Sequence, residues 1–516
     1  MFRPIQFPNK IESLVRFVEE TAPGHIIEAT LAKLRSGVSP KELLTAGALA
    51  VTRSTELPPE HHGGPVHPIC GIHAVYETSQ RLSGELALMP IVQHTALCNK
   101  HVHSPQMGPY ILPEIVPLES KGEAIASYHV GYSDTAPDVA YNGDKGNGLD
   151  ATEEAFVDSI RTRKASAAEQ YCLWLLENLP PGRVLDLLLP AAISRNNIDD
   201  HYFLFPMFTA RALDCIGWEW APVLMRPVVR YQARNPFALR AGGTIDFSAV
   251  EALLDEYKLL EIDIPPCTSE KETEAIGELA GQIAACYQHL ETIDPIAKAL
   301  ANGMSMEGAG EALSIGAATI YLSSSYGNPM DVHLHTGANT RRYLLKTEGV
   351  GLRNKLLALL TGVTGPECAI GEELRVWSPH PDSHTLATLP QRSQGELLAA
   401  ISESIEGQPL SDWKITGVGD LIAPPEVQEP ILLAQQYASK GYDPEALFVQ
   451  MAGLICQDDF TEMHALKHHQ AMVEEYYSTR EPFCALHLVS AVKSAALIHG
   501  GREQSVYQRT RELLRV

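Results

Sequence analysis

Histidines recur at one kind of position along this 516-residue chain, in turns that are rich in Asp, Asn and Gly and that lead into a helix. His67, His201, His333 and His464 each stand in such a turn. Imidazole nitrogen is a preferred ligand of iron, copper and zinc. The recurrence therefore predicts that these four histidines bind a transition metal ion, with iron favoured and zinc or copper as alternatives.

Further polar side chains accompany these histidines and are predicted to act in catalysis or to orient the ligands: His73, His335, His468, Asp331 and Asp459. His464 and His468 are four residues apart, so they share one face of a helix. A carboxylate beside an imidazole can fix the ring tautomer or carry protons, which is the role expected of the aspartates. The structural alternative is that the aspartates cap helices and that the histidines are hydrogen-bonded core residues.

Each histidine turn follows a helix break, and the breaks occur at roughly regular spacing near Gly37, Pro181, Gly303 and Gly441. A break typically carries Gly, then Ser or Asp, then Pro, which are the residues of a helix C-terminus, an N-cap and a first helical turn. A third, apolar helix closes each copy and is expected to supply core and dry pocket walls. The pattern predicts four diverged copies of one helical unit.

The expected fold is therefore all-α, with four diverged helical repeat units packed around a shared interior and one long irregular loop insertion. The predicted boundaries are unit 1 at 1–118, a Gly/Asp-rich loop insertion at 119–150, unit 2 at 151–240, unit 3 at 241–370, and a connector with unit 4 at 371–516. Sustained strand alternation is rare in the sequence.

Composition limits the classes of partner. The formal net charge is −23, so the surface repels nucleic acid and anionic lipid. The nine cysteines include no CxxC pair, which is typical of a reducing compartment. The first residues lack a signal-peptide core, and no apolar run reaches the roughly 18 residues of a membrane span. We expect a cytoplasmic protein that binds a small-molecule substrate. The sequence is compatible with a homo-oligomer.

Two segments carry a family resemblance. The matching residues are His67, Pro68 and His73 in VHPICGIHAVYE, and Asp459, Phe460, His464 and Ala465 in DDFTEMHALKHHQAMVEEYY. On these residues the chain resembles the questin-oxidase-like family, although His73 is displaced from the family's tighter arrangement. The resemblance implies oxidation of a polyketide-like or aromatic substrate, with O₂ as the oxidant.

The leading functional hypothesis is an intracellular metal-assisted oxidoreductase, oxygenases included, that acts on a small organic or aromatic substrate in a central His-rich pocket. A metal-dependent hydrolase is one alternative, and it needs an ion-bound water beside a carboxylate base. A non-catalytic helical scaffold is the other, with histidines that cap helices and an acidic surface that binds a partner.

Overall fold

The computed structural model describes residues 3–56, 63–108, 110–120, 148–196, 199–233, 247–328, 332–362, 374–380, 383–408, 422–423, 425–459, 461–499 and 505–515. These residues form 23 α-helices and contain no β-strand. The only β contacts among them are two isolated bridges, Pro4 with Pro113 and Tyr326 with Ile422. The predicted all-α fold class is confirmed.

The chain divides into two compact units. The first, which we call the N unit, comprises Met1–Tyr76, His94–Ile245 and Lys346–Asn354. The second, the C unit, comprises Glu77–Gln93, Asp246–Leu345 and Lys355–Val516. The repeat boundaries drawn from the sequence, and a shared interior for all four repeats, stay predictions.

Helices α1 to α10 belong wholly or mainly to the N unit. They are α1 Asn9–Glu20, α2 Ile26–Arg35, α3 Pro40–Ser54, α4 Val66–Arg81, α5 Met89–Val102, α6 Leu149–Arg161, α7 Ala165–Asn178, α8 Pro181–Ser194, α9 His201–Ile216 and α10 Ala221–Ala233. The division between the units falls inside α4 and α5.

Helices α11 to α23 follow in the second half of the chain. They are α11 Phe247–Glu256, α12 Thr273–Ala285, α13 Ile293–Ala301, α14 Met306–Ser323, α15 His333–Lys346, α16 Leu352–Leu360, α17 Ser383–Thr388, α18 Gln394–Glu406, α19 Gln428–Ser439, α20 Pro444–Ile455, α21 His464–Ser478, α22 Ala485–His499 and α23 Ser505–Leu514. In the C unit, α14, α19, α20 and α21 all pack on α22.

Three of the predicted helix breaks have the expected chemistry. Gly37, Gly303 and Gly441 have positive φ angles of 94°, 95° and 62°, a conformation that glycine adopts without steric cost. At the first break, Ser39 caps α3 in a reciprocal box with Glu42. The break before α8 differs, because its N-cap is Pro180 and no side chain caps the helix.

One helix order recurs around these breaks. One helix ends at the break, and three helices follow it. The first of the three begins at the break, the second opens with a histidine turn, and the third closes the set. The sets are α2–α5, α7–α10, α13–α16 and α19–α22. The histidines of interest therefore lie at the start of the second helix after the break.

The predicted loop insertion at 119–150 lies mostly outside the described residues, because 121–147 are not among them. Helix α6 begins at Leu149, just inside its predicted end. Within the described part of the chain, no helix combines the length and apolar character that crossing a membrane requires.

A buried ion-pair triad joins α7 and α10 in the N unit. The Glu169 carboxylate accepts hydrogen bonds from Arg226 Nε at 2.6 Å and from Arg230 Nη1 at 3.1 Å. Arg226 Nη1 also donates to the carbonyl oxygen of Pro113 at 2.7 Å. All three charged side chains are buried, and Glu56 lies 3.4 Å from Arg230 Nε, so Glu169 is the counter-charge of Arg226 and one of two carboxylates beside Arg230.

Replacing the central carboxylate tests this triad. We expect Glu169→Gln to lower the free energy of unfolding by about 3–5 kcal/mol, because two guanidinium groups lose their buried counter-charge. Urea denaturation followed by circular dichroism measures the change. Glu177→Gln, at an exposed position near the end of the same helix, is the control and should stay within about 0.5 kcal/mol of wild type. Equal effects of the two variants would contradict the triad's role.

Candidate metal centre

The four histidines predicted as metal ligands lie at the starts of helices. His201, His333 and His464 are the first residues of α9, α15 and α21, and His67 is the second residue of α4. Their side chains are only 2–5% exposed. The sequence-based placement of these residues at helix-opening turns is confirmed.

The backbone is unusual just before three of these helices. Gly63 and Gly64 precede α4 with φ angles of 138° and 31°, and Asp200 precedes α9 with a φ of 56°. Glu462 and Met463 precede α21 with φ angles of 52° and 70°. Left-handed conformations of non-glycine residues are uncommon and concentrate at functional sites. The turns therefore hold the histidines in orientations that an ordinary N-cap would not give.

His67 and His201 form a pair in the N unit. Their Nε2 atoms are 3.3 Å apart, and their rings meet edge to face with centroids 5.1 Å apart. Phe205, one turn along α9, stacks on His201 at 4.8 Å and contacts His67 at 5.4 Å. A Cβ atom on Gly63 would approach Phe205 to 2.2 Å, so this position requires glycine. The pair thus lies in a tightly packed aromatic environment.

A carboxylate outside the pair faces the His201 ring, and a further histidine contacts the backbone next to His67. Asp199 Oδ2 lies 3.3 Å from Nδ1 of His201, the ring nitrogen that does not face His67. A carboxylate at this position favours a proton on Nδ1 and leaves the lone pair on Nε2. His94 Nε2 contacts the carbonyl oxygen of Pro68 at 3.0 Å in the first turn of α4. Burial lowers the pKa of His94 to about 4, so this ring is neutral at pH 7.

The spacing of the pair suits a metal ion. Two nitrogen ligands about 2.0–2.1 Å from a tetrahedral ion are about 3.3 Å apart, and neighbouring ligands of an octahedral ion are about 3.0 Å apart. His67 and His201 can therefore offer adjacent ligands to one ion. A pair supplies only two ligands, so an ion bound to it takes its other ligands from elsewhere.

His333 and His464 form the corresponding pair in the C unit. Their Nε2 atoms are 3.0 Å apart, and the ring planes are nearly perpendicular at 85°. His464 Nδ1 lies 2.5 Å from the carbonyl oxygen of Thr461, so this nitrogen is the donor and Nε2 carries the lone pair. Asp458 in turn accepts a hydrogen bond from the Thr461 backbone N–H at 2.9 Å and another from its hydroxyl. The turn thus presents His464 Nε2 to a ligand.

A second histidine pair lies in the same unit. His335 Nδ1 and His468 Nε2 are 2.9 Å apart, and the ring of Tyr321 packs edge-on against both. Burial lowers the pKa of His468 to about 3 and that of His335 well below its usual value, with the positive charge of Lys493 contributing to both shifts. Both rings are therefore neutral at pH 7, which is the form that binds metal.

The pairing follows the sequence repeat. Partners in the three pairs are separated by 134, 131 and 133 residues, which is about one repeat length. Further along α15 and α21, Asn339 and Arg342 contact Glu475 at similar separations of 136 and 133 residues. In the C unit, α15 and α21 thus meet along a buried polar line.

Polar residues that the sequence reasoning missed extend this line. His487 Nε2 contacts Thr479 Oγ1 at 3.2 Å and Ser314 Oγ at 3.5 Å, and burial lowers its pKa to about 4. Lys493, fully buried on α22, donates hydrogen bonds to the backbone carbonyls of Tyr321 and Ser324. His487 and Lys493 both lie in a helix that was read as apolar core. The signal available in the sequence for these two residues was that both are strongly polar within an otherwise apolar run.

Two of the predicted residues stand apart from the pairs. His73 Nε2 accepts a hydrogen bond from Arg211 at 2.8 Å. The carboxylate of Asp459 accepts a hydrogen bond from the backbone N–H of Val506 at 2.7 Å, which caps helix α23 rather than orienting a histidine. Asp331 lies outside the described residues. The catalytic roles predicted for these residues stay predictions.

Comparisons with known proteins add no assignment. No protein-family model, curated protein or solved structure matches this chain. The resemblance to the questin-oxidase-like family therefore stays a prediction from the two quoted segments. The site is described by its own geometry, which is that of buried histidine pairs at helix starts.

The Asp459 carboxyl makes stability depend on pH. Burial raises its pKa from 3.8 to about 7, and the charge of Asp458 adds to the rise. Because the folded pKa exceeds the unfolded one, the stabilisation is complete below about pH 4 and is lost as the pH rises through about 7.

We expect Asp459→Asn, which cannot ionise but keeps an acceptor for Val506, to be more stable than wild type at pH 8 and equal to it at pH 4. The advantage should grow by about 1.4 kcal/mol for each pH unit between the two pKa values. Urea denaturation at several pH values measures it. Asp255→Asn, at an exposed position on α11, is the control and should show a pH-independent difference. A flat profile for Asp459→Asn would contradict the raised pKa.

Proposed function

We propose that this protein is a metal-dependent oxidoreductase that acts on a small organic or aromatic substrate. The observation that carries the proposal is that buried imidazole nitrogens face each other at helix starts. They are 3.3 Å apart in the N unit and 3.0 Å apart in the C unit. These distances match adjacent ligands on a transition metal ion. Iron, copper and zinc are the candidate ions.

The ligand-facing nitrogens support metal binding because they carry lone pairs. The Thr461 carbonyl fixes the tautomer of His464, and the Asp199 carboxylate favours the same tautomer in His201. Hydrogen bonds on the far side of a ligating imidazole hold its orientation and raise its basicity. Residues outside the pairs therefore prepare both rings for a cation.

In the C unit, the surroundings of the pairs support oxidation more than hydrolysis. Hydrolysis by a bound ion needs a carboxylate base beside an ion-bound water. In the C unit, Asp458 is bonded to Thr461 and Asp459 to Val506, so both have structural partners. Oxidation needs no such base, and the family resemblance of the two histidine segments points the same way.

Aromatic side chains and helix termini bear on the class of substrate. Phe205 stacks on His201, and Tyr321 contacts the second pair of the C unit. Helices α15 and α21 both begin at the His333–His464 pair, and helix N-termini favour negative charge. An aromatic substrate with an ionisable oxygen, such as a phenol, combines both properties.

Metal content tests the proposal directly. Purified full-length protein is expected to contain iron or copper by elemental analysis after expression in metal-supplemented medium. His333→Ala should remove the metal held by the His333–His464 pair and leave that held by the His67–His201 pair, because the remaining imidazole of the C unit loses the neighbour that shares the ion. His469→Ala is the matched control, since His469 is as deeply buried but its ring contacts Phe448 instead of a second histidine.

The metal found decides between the alternatives. Iron or copper supports the oxidoreductase when the protein also consumes O₂ with a panel of phenols. A chelator should abolish this O₂ consumption. Stoichiometric zinc without O₂ consumption would favour the metal-dependent hydrolase. No metal in wild type would overturn the proposal in favour of a helical scaffold.

The carboxylate behind His201 gives a second prediction. We expect Asp199→Asn to weaken metal binding by about 10–100-fold, because the neutral amide makes the His201 ring a poorer ligand. Competition with a chromogenic chelator measures the dissociation constant. Asp214→Asn, a carboxylate on α9 that accepts a hydrogen bond from Trp218, should leave the constant unchanged. Equal constants for the two variants would contradict the orienting role of Asp199.

A further inference from the structure

We infer that His335 and His468 form a second transition-metal site in the C unit, next to the His333–His464 site. The inference rests on the proposed function, since it adds an ion of the same chemical class. It differs from the sequence reading, in which these two histidines support an ion that other residues bind.

The geometry of this pair repeats that of the helix-start pairs. His335 Nδ1 and His468 Nε2 are 2.9 Å apart, against 3.0 Å for His333 and His464. One partner again comes from α15 and the other from α21. The distance is that of neighbouring nitrogen ligands on an octahedral ion, about 3.0 Å.

Protonation distinguishes an ion from a hydrogen bond between the two rings. A hydrogen bond uses one facing lone pair, whereas an ion between the rings takes a lone pair from each and places the protons on His335 Nε2 and His468 Nδ1. Neither of these outer atoms has a hydrogen-bond partner among the described residues, and the side chains are 1% and 0% exposed. The facing nitrogens, 2.9 Å apart, are therefore the atoms that an ion would engage.

The neighbourhood sets the strength of the site. Tyr321 covers one side of both rings, and the ring of His487 lies 6.0 Å from that of His335. Lys493 places its ammonium group 4.5 Å above the Tyr321 ring. This positive charge opposes a second cation close to it. The site should therefore bind more weakly than the His333–His464 pair.

The relation of the two sites follows from α21. His464 and His468 are one helical turn apart, so ions held by the two pairs are separated by about 5–6 Å. Neighbouring ions at this range affect each other's affinity electrostatically. The C unit thus offers a two-ion centre built between two helices.

Zinc titration tests the second site without reference to activity. Full-length protein, stripped of metal by chelation and dialysis, is titrated with Zn²⁺ in a calorimeter, and bound zinc is counted by elemental analysis. Wild type is expected to bind zinc tightly at the two helix-start pairs and to bind one further equivalent at least tenfold more weakly. His468→Ala should remove the weak equivalent and keep the tight binding. His464→Ala should lower the amount of tightly bound zinc and keep the weak equivalent.

Controls separate the inference from loss of packing and from failure of the proposed function. His469→Ala should keep both classes of binding, and circular dichroism checks the folding of each variant. If His468→Ala does not fold, His335→Gln replaces it, because glutamine retains volume and polarity. A weak equivalent that survives both variants, or one that His469→Ala also removes, overturns the second site and leaves the proposed function standing. No zinc binding at all in wild type overturns both.

Discussion

Buried imidazole rings are the constraint on which the rest of this structure depends. A histidine ring has two nitrogens, and both must be satisfied when water is excluded. In three buried pairs the group that faces a ring is another imidazole, 131 to 134 residues away along the chain. Helix α9 must therefore begin where α4 begins, and α21 where α15 begins. The left-handed turns, the glycine at position 63 and the aromatic packing all follow from this requirement.

Much of the helical framework was predictable because it depends on local chemistry. Gly37, Ser39 and Pro40 specify a helix end, a cap and a new helix within four residues, and the structure has all three. Glycine and proline act through their own backbone restrictions, so they can be read without knowledge of the fold. The histidines at helix starts were predictable for the same reason.

The partners within the site were not predictable, because they depend on packing between distant segments. Nothing local tells that His335 faces His468, or that His73 is bonded to Arg211 on another helix. Asp459 was expected near the ligands because it is close to His464 in sequence, yet its carboxylate points to Val506. His487 and Lys493 were passed over because their helix has the periodicity of a core helix. In each of these cases the contacting residue is more than forty residues away in sequence, or the polar residue itself lies within an apolar helical pattern.

Two successive residues connect helix α23 to His464. Asp458 bonds the Thr461 turn that orients His464, and Asp459 bonds the start of α23. A protease that removed α23 would expose Asp459 to water and would remove its hydrogen-bond partner Val506. Asp459 is the neighbour of Asp458, which holds the Thr461 turn. The integrity of the last helix therefore bears on the orientation of a ring that lies forty residues earlier in the chain.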